Sequence, residues 1–139
     1  MTQEEKDLLL KDLGARLLYH PIVHINDLDV IDYDNYLYPD YIEKMMSYSI
    51  TLKPYLRPMT SMTEEEKREL EHISEEYFGK ALDKQFQESL SSNINEGEVL
   101  EYIASSVIVD WLNAHYFDYR GLIEKGLAIE APEGMYNFN

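Results

Sequence analysis

The hydrophobic period of this chain changes twice, and that constrains its fold more than any other feature. Leu9, Leu10, Leu13, Leu17 and Leu18 recur at the three- and four-residue spacing of one helix face. Thr2 stands where an N-cap would, Glu5 follows at capping-box spacing, and Pro21 closes the segment. From Ile22 to Arg57 the apolar residues instead form β-branched and aromatic clusters, at Ile22, Val23 and Ile25, then Val30, Ile31 and Tyr33, then Tyr48, Ile50 and Leu52. Asn, Asp and Pro separate the clusters, so two to four short antiparallel strands are expected. The run DYDNYLYPDY from Asp32 to Tyr41 mixes strand and turn formers, which suits a hairpin tip or an irregular loop.

At Thr63 the helical period returns. Thr63 and Glu66 repeat the capping-box spacing, and Leu70, Ile73, Tyr77, Ala81 and Leu82 make the stripe, with Gly79 as a place to kink. SSNINEG (residues 91–97) is a connector. Asn95 with Glu98 then introduces the most apolar helix, carrying Val99, Leu100, Ile103, Val107, Ile108, Trp111 and Leu112. Its composition makes it the expected core element, packed on the Leu70 helix and on the strands. Near the C-terminus, Leu122 to Lys125 reads as one helical turn ended by Gly126, and Leu127 to Ala131 as an edge strand. The pattern predicts one α+β domain over residues 1–139: an N-terminal helix (1–20), a small antiparallel β-sheet (21–62), then two main helices and a short C-terminal extension (63–139).

Charge excludes several partner classes. The chain has 27 Asp and Glu against 12 Lys and Arg, a formal net charge of -15. That balance repels phosphate backbones and anionic lipid, so neither direct nucleic-acid binding nor membrane binding is expected. The negative charge is concentrated after Met62, where 17 acids face 6 bases. Solubility explains such acidity, and so does attraction to a basic protein surface. No apolar run approaches the roughly 20 residues that span a bilayer, and the acidic N-terminus does not read as an export signal, so a cytoplasmic setting is expected. Cysteine is absent, which removes disulfides and thiolate chemistry.

Motifs for chemistry are sparse. Asp27, Asp29, Asp32 and Asp34 alternate like calcium ligands but lack the glycine and the closing glutamate of a calcium loop, and read as a solvated turn. His20 and His24 are four apart, but with Pro21 between them and no HExxH they do not read as a zinc pair. Neither a metal nor a cofactor is expected. His115, Asp118 and Arg120 form the one constellation with acid–base potential, although a His and an Arg at a helix end also complement its negative pole. In PYLRPM (residues 54–59) two prolines frame a rigid strand-to-helix connection, with Tyr55 and Leu56 turned into the body and Arg57 able to anchor a carboxylate. Tyr33, Tyr36, Tyr38, Tyr41 and Tyr48 lie close to Asp32, Asp34 and Asp40. Tyrosine offers area and a hydrogen bond at low entropic cost, so this stretch suits protein docking as well as ordinary packing.

Two stretches, PYLRPMTSMTEEE (Pro54 to Glu66) and DWLNAHYFDYRGLIEKGLAIEAPEGMYN (Asp110 to Asn137), resemble segments of a family of small acidic uncharacterised proteins of gut bacteria and their phages or mobile elements. The resemblance implies no activity, cofactor or catalytic residue. It implies a mobile-element setting, in which small acidic proteins often act as accessory or inhibitory binders.

Together these features predict a non-enzymatic accessory or protein-binding module whose partner is another protein with a basic surface. Its candidate contact residues are Tyr33, Tyr36, Tyr38, Tyr41 and Arg57. The alternatives are a nucleic-acid mimic that inhibits a basic host enzyme, and an enzyme with its site near His115, Asp118 and Arg120.

Overall fold

A computed structural model describes residues 1–27, 31–76 and 106–136. The fold is α+β, and the chain forms two compact units, one of Met1–Thr60 with Asn113–Asn139 and the other of Ser61–Leu112.

The first unit begins with α1 (Gln3–Arg16). Its N-terminus is a complete capping box: the Thr2 hydroxyl accepts from Glu5 N–H at 3.1 Å, and the Glu5 carboxylate accepts from Thr2 N–H at 2.9 Å. These bonds hold the Glu5 carboxyl below the usual glutamate range. Leu9 and Leu13 are fully buried while Leu18 is exposed, so the apolar stripe narrows to the residues that face the sheet. Lys6, Asp12 and Arg16 lie on the same buried face. A 3₁₀ turn, Leu17–Tyr19, leads to His20, which adopts a left-handed conformation (φ 49°) before Pro21.

Three antiparallel strands follow, β1 (Ile22–Asp27), β2 (Ile31–Tyr36) and β3 (Ile50–Pro58), with β1 central between β2 and β3. Their clusters are those the sequence marks as strand-forming, except that Tyr48, at φ 62°, precedes β3 and Val30 lies outside the described residues. Period two decides the faces: Val23, Ile25, Leu52 and Leu56 are buried, and His24, Asn26, Thr51 and Lys53 point the other way. The antiparallel expectation holds for these three strands, yet the sheet as a whole is mixed. Two-residue strands from the C-terminal segment, β4 (Phe117–Asp118) and β5 (Ile129–Glu130), pair parallel to the end of β3. Residues 54–58 of PYLRPM therefore continue β3, Met59 opens a 3₁₀ turn, and Tyr55 and Leu56 turn to opposite faces.

Between β2 and β3 lies a helix, α2 (Pro39–Met46), and not a hairpin tip or irregular loop. Pro39 sits in the first turn, where its missing N–H costs nothing, and Asp40 complements the helix pole. Met45 is buried, and Tyr41 and Ile42 pack against the core. That core joins Leu9 and Leu13 of α1, the inward residues of β1 and β3, and Leu122, Leu127 and Ala128 from the C-terminal segment.

The turn at Leu122 ends in a Schellman motif. Leu127 N–H donates to the Leu122 carbonyl at 2.9 Å, Gly126 N–H donates to Ile123 at 3.1 Å, and Gly126 takes φ 73°. Leu122 and Leu127 both enter the core, as the hydrophobic contact of that motif requires.

In the second unit, residues 64–76 are helical and open with the second capping box, Thr63 hydroxyl to Glu66 N–H at 3.1 Å and Glu66 carboxylate to Thr63 N–H at 3.0 Å. Trp111 is buried and its indole N–H donates to Glu69 at 3.1 Å. The capping signal at Asn95 and Glu98, Gly79, the stripe positions Tyr77, Ala81 and Leu82, and the stripe positions Val99, Leu100 and Ile103 lie outside the described residues. Among the described residues, no helix is long and apolar enough to cross a membrane.

Candidate functional site

The sheet has one face on the core and one open face, and the open face carries the polar side chains of β1, β2 and β3. Register fixes the rows. His24 lies opposite Asp34 on one side and Lys53 on the other, and Asn26 lies between Asp32 and Thr51. Leu37 N–H donates to the Pro21 carbonyl, one step past the Ile22–Tyr36 pair, so ladder bonds alternate through residues 23/35 and 25/33. His24 and Asp34 are thus a non-hydrogen-bonded pair, the kind that brings side chains closest. The imidazole Nδ1 meets Asp34 Oδ1 at 2.8 Å, and the Tyr55 hydroxyl donates to the same oxygen at 3.0 Å. Burial, together with the neighbouring Asp34 carboxylate, keeps Tyr55 protonated above the usual tyrosine range. Asp34 and Asp32 nevertheless remain well exposed.

Beside this row is an open recess of about 320 Å³ lined by Ile22, Asp34, Asn35, Tyr36 and Met135. Behind it, two tyrosines pin the C-terminal segment to the sheet. The Tyr136 hydroxyl accepts from Ile22 N–H at 2.9 Å and donates to the Tyr55 carbonyl at 2.8 Å. The Tyr136 ring stacks on Tyr116 with centroids 3.9 Å apart, and the Tyr116 hydroxyl donates to the Tyr19 carbonyl. Burial raises the pKa of both phenols, Tyr36 adds to both, and Tyr116 adds to Tyr136.

The candidate contact residues are divided between two faces. Tyr36 projects on the open face, while Tyr33, an odd number of residues away, lies opposite Ile25 on the core side. The neighbouring Tyr41 hydroxyl, with burial, raises the pKa of Tyr33, and Tyr41 accepts from Asn35 Nδ2 at 2.9 Å. Tyr38 is exposed and tilts against both Tyr41 and His20. Tyr33, Tyr38 and Tyr41 therefore group around the start of α2, and Tyr36 stands apart from them. Arg57 is half-buried, with its guanidinium 4.2 Å from the Phe117 ring and Nη1 donating to the His115 carbonyl at 3.4 Å.

Of the trio His115, Asp118 and Arg120, the last two have separate structural tasks. Asp118 is buried, and its carboxylate accepts from Leu122 N–H and Ile123 N–H, both at 2.9 Å, which organises the turn below. Arg120 donates from Nη1 to Asp12 Oδ1 at 2.8 Å. Asp12 is fully buried and also accepts from Arg16 Nε at 3.0 Å, while Arg16, itself fully buried, donates from Nη2 to the Phe117 carbonyl at 2.7 Å. This buried triad holds α1 to the C-terminal segment. Sequence reading missed it, although Asp12 and Arg16 lie three residues after Leu9 and Leu13 and so share their helix face; what the sequence does not signal is the partner Arg120.

Among the described residues, no group of three or more His, Asp or Glu side chains comes together in a way that could hold a metal ion. No protein-family model matches this chain, and neither do any curated protein or solved structure.

Proposed function

We propose that the chain is a non-enzymatic protein-binding module that docks through β2 and the open sheet face beside it. The observation that carries this reading is the character of β2. Among the described residues it is an edge strand, it carries Asp32, Asp34 and Tyr36 outward, and it contains no Lys or Arg. An exposed edge offers main-chain donors and acceptors to another strand, and charge decides which strands approach. An acidic edge favours a basic partner and disfavours a second copy of this acidic chain. The phage or mobile-element setting implied by the resemblance, where accessory binders are common, belongs to the same proposal.

Charge reversal tests it. The pair Asp32→Lys and Asp34→Lys is compared with Glu65→Lys and Glu71→Lys, two exposed acids of the helix at residues 64–76. Both pairs change the net charge equally. Proteins retained from host lysate by the unaltered chain should be lost from the β2 variant and kept by the helix variant. Equal loss from both would make the binding a general effect of acidity and would remove β2 from the reading.

A further inference from the structure

We infer that the recess beside β2 is a subsite for one cationic side chain, arginine in preference to lysine, carried by an extended segment that adds as a strand to the β2 edge. The inference rests on the docking reading above and names the chemistry of what docks.

Geometry supplies the first argument. The ladder to β1 uses residues 31, 33 and 35, so the main-chain groups of Asp32, Asp34 and Tyr36 face the open edge. Tyr36 N–H already donates to its neighbour Asn35 Oδ1 at 2.8 Å, which closes the edge at that residue. A docking strand then bonds to Asp32 and Asp34. Side chains of such a strand alternate, and every second one lies over the same face as Asp32, Asp34 and Tyr36.

Chemistry supplies the second. The recess places a carboxylate (Asp34), the Tyr36 ring and two apolar walls (Ile22 and Met135) around about 320 Å³, with Asn35, whose own amide is engaged by Tyr41 and by Tyr36 N–H, completing the lining; that volume is at the lower end of the range for small ligand sites and gives room for a single side chain. A guanidinium satisfies this set better than an ammonium does: it bonds a carboxylate in plane, stacks on an aromatic ring and is less strongly hydrated. The Tyr55 hydroxyl and the His24 imidazole both bond to Asp34 Oδ1, which among the described residues leaves Oδ2 to accept from an incoming donor. On the other face of the docking strand, Ile31 and Tyr33, both exposed, provide apolar contact. The occupant therefore alternates basic and apolar residues.

The test uses the full chain and three short synthetic peptides: one alternating arginine and valine, one of identical composition with the two residues in separate blocks, and one alternating citrulline and valine. Citrulline keeps the shape of arginine without its charge. Binding is read by fluorescence anisotropy and location by amide hydrogen exchange. The alternating arginine peptide should bind about tenfold or more tighter than either other peptide and should slow exchange at Asp32 and Asp34, and Asp34→Asn should weaken it about tenfold. If Asp32 and Asp34 are protected but citrulline or Asp34→Asn makes no difference, the subsite is overturned and edge docking stands. If the blocked peptide binds equally well, or no peptide protects the β2 amides, strand addition at β2 fails and the subsite fails with it.

Discussion

Tyr136 completes the sheet at Ile22, its hydroxyl oxygen accepting from Ile22 N–H at 2.9 Å one step beyond the last β1–β3 pair, Val23 with Pro54. The proton of that hydroxyl goes to the Tyr55 carbonyl at 2.8 Å, so one phenol bridges the Ile22 N–H and the Tyr55 carbonyl between the two strands. Tyr136→Phe keeps the ring and its stack on Tyr116 but leaves both main-chain groups without this partner. A loss of about 1–2 kcal/mol is expected, the cost of partly buried polar groups left unpaired. Urea unfolding checks it: the midpoint should fall with an unchanged slope, and an unchanged midpoint would mean that water replaces the hydroxyl at no cost.

The same phenol sets an alkaline limit. Burial raises the pKa of Tyr136 strongly, and Tyr33, Tyr55 and Tyr116 are raised in the same direction. Below the ordinary tyrosine value of about 10 both folded and unfolded chains are protonated, and this contribution to stability is fully present. As pH rises past that value the unfolded chain releases protons that the folded chain still holds, so stability falls. Thermal unfolding followed by circular dichroism should show Tm dropping above pH ~10, less steeply in Tyr136→Phe. A parallel pH dependence in the two proteins would contradict the assignment.

Two glycines with open surroundings should respond in opposite directions. A methyl added at Gly14 or at Gly126 meets no atom within 4 Å, so backbone conformation alone decides. Gly14 lies inside α1, where alanine is the better helix former, and Gly14→Ala should stabilise by about 0.5–1 kcal/mol. Gly126 holds φ 73° in the Schellman turn, a region that costs an L-residue about 1–2 kcal/mol, so Gly126→Ala should destabilise by about that amount. Calorimetric Tm values of the two variants on either side of the parent would bear this out, and shifts of the same sign would not.

Local rules were legible in the sequence, and long-range ones were not. Both Thr–Glu capping boxes formed because their partners sit three residues apart, and β1, β2 and β3 formed where β-branched and aromatic residues cluster. The opposite facing of Tyr33 and Tyr36 was also readable, since an odd separation on a strand changes face. Helix α2 was harder, because Pro39 and Asp40 serve a turn as well as a first helical turn, and only Tyr41, Ile42 and Met45 mark its inner face. Nothing local could have shown that β4 and β5 join β3 in parallel, or that Arg120 reaches Asp12 across 108 residues of sequence.

That last contact carries the largest predicted effect. Asp12 and Arg16 are fully buried, and the one carboxylate answers two guanidiniums, Arg16 Nε at 3.0 Å and Arg120 Nη1 at 2.8 Å. Among the described residues, Arg16 Nη1 is buried and has no hydrogen-bond partner. Removing Asp12 leaves Arg16 as an uncompensated buried charge, whereas Arg120, 17% exposed, can turn toward water. Asp12→Ala should therefore cost about 3–5 kcal/mol, and the double variant Asp12→Leu with Arg16→Met should recover much of it, because an apolar pair needs no compensation and removes the unpaired Nη1. Urea unfolding of parent, single and double variants decides the matter. A small loss in Asp12→Ala would mean that the Arg16 charge reaches solvent after all, and a double variant as unstable as the single one would mean that the bond from Arg16 Nη2 to the Phe117 carbonyl, at 2.7 Å, matters more than the ion pairs.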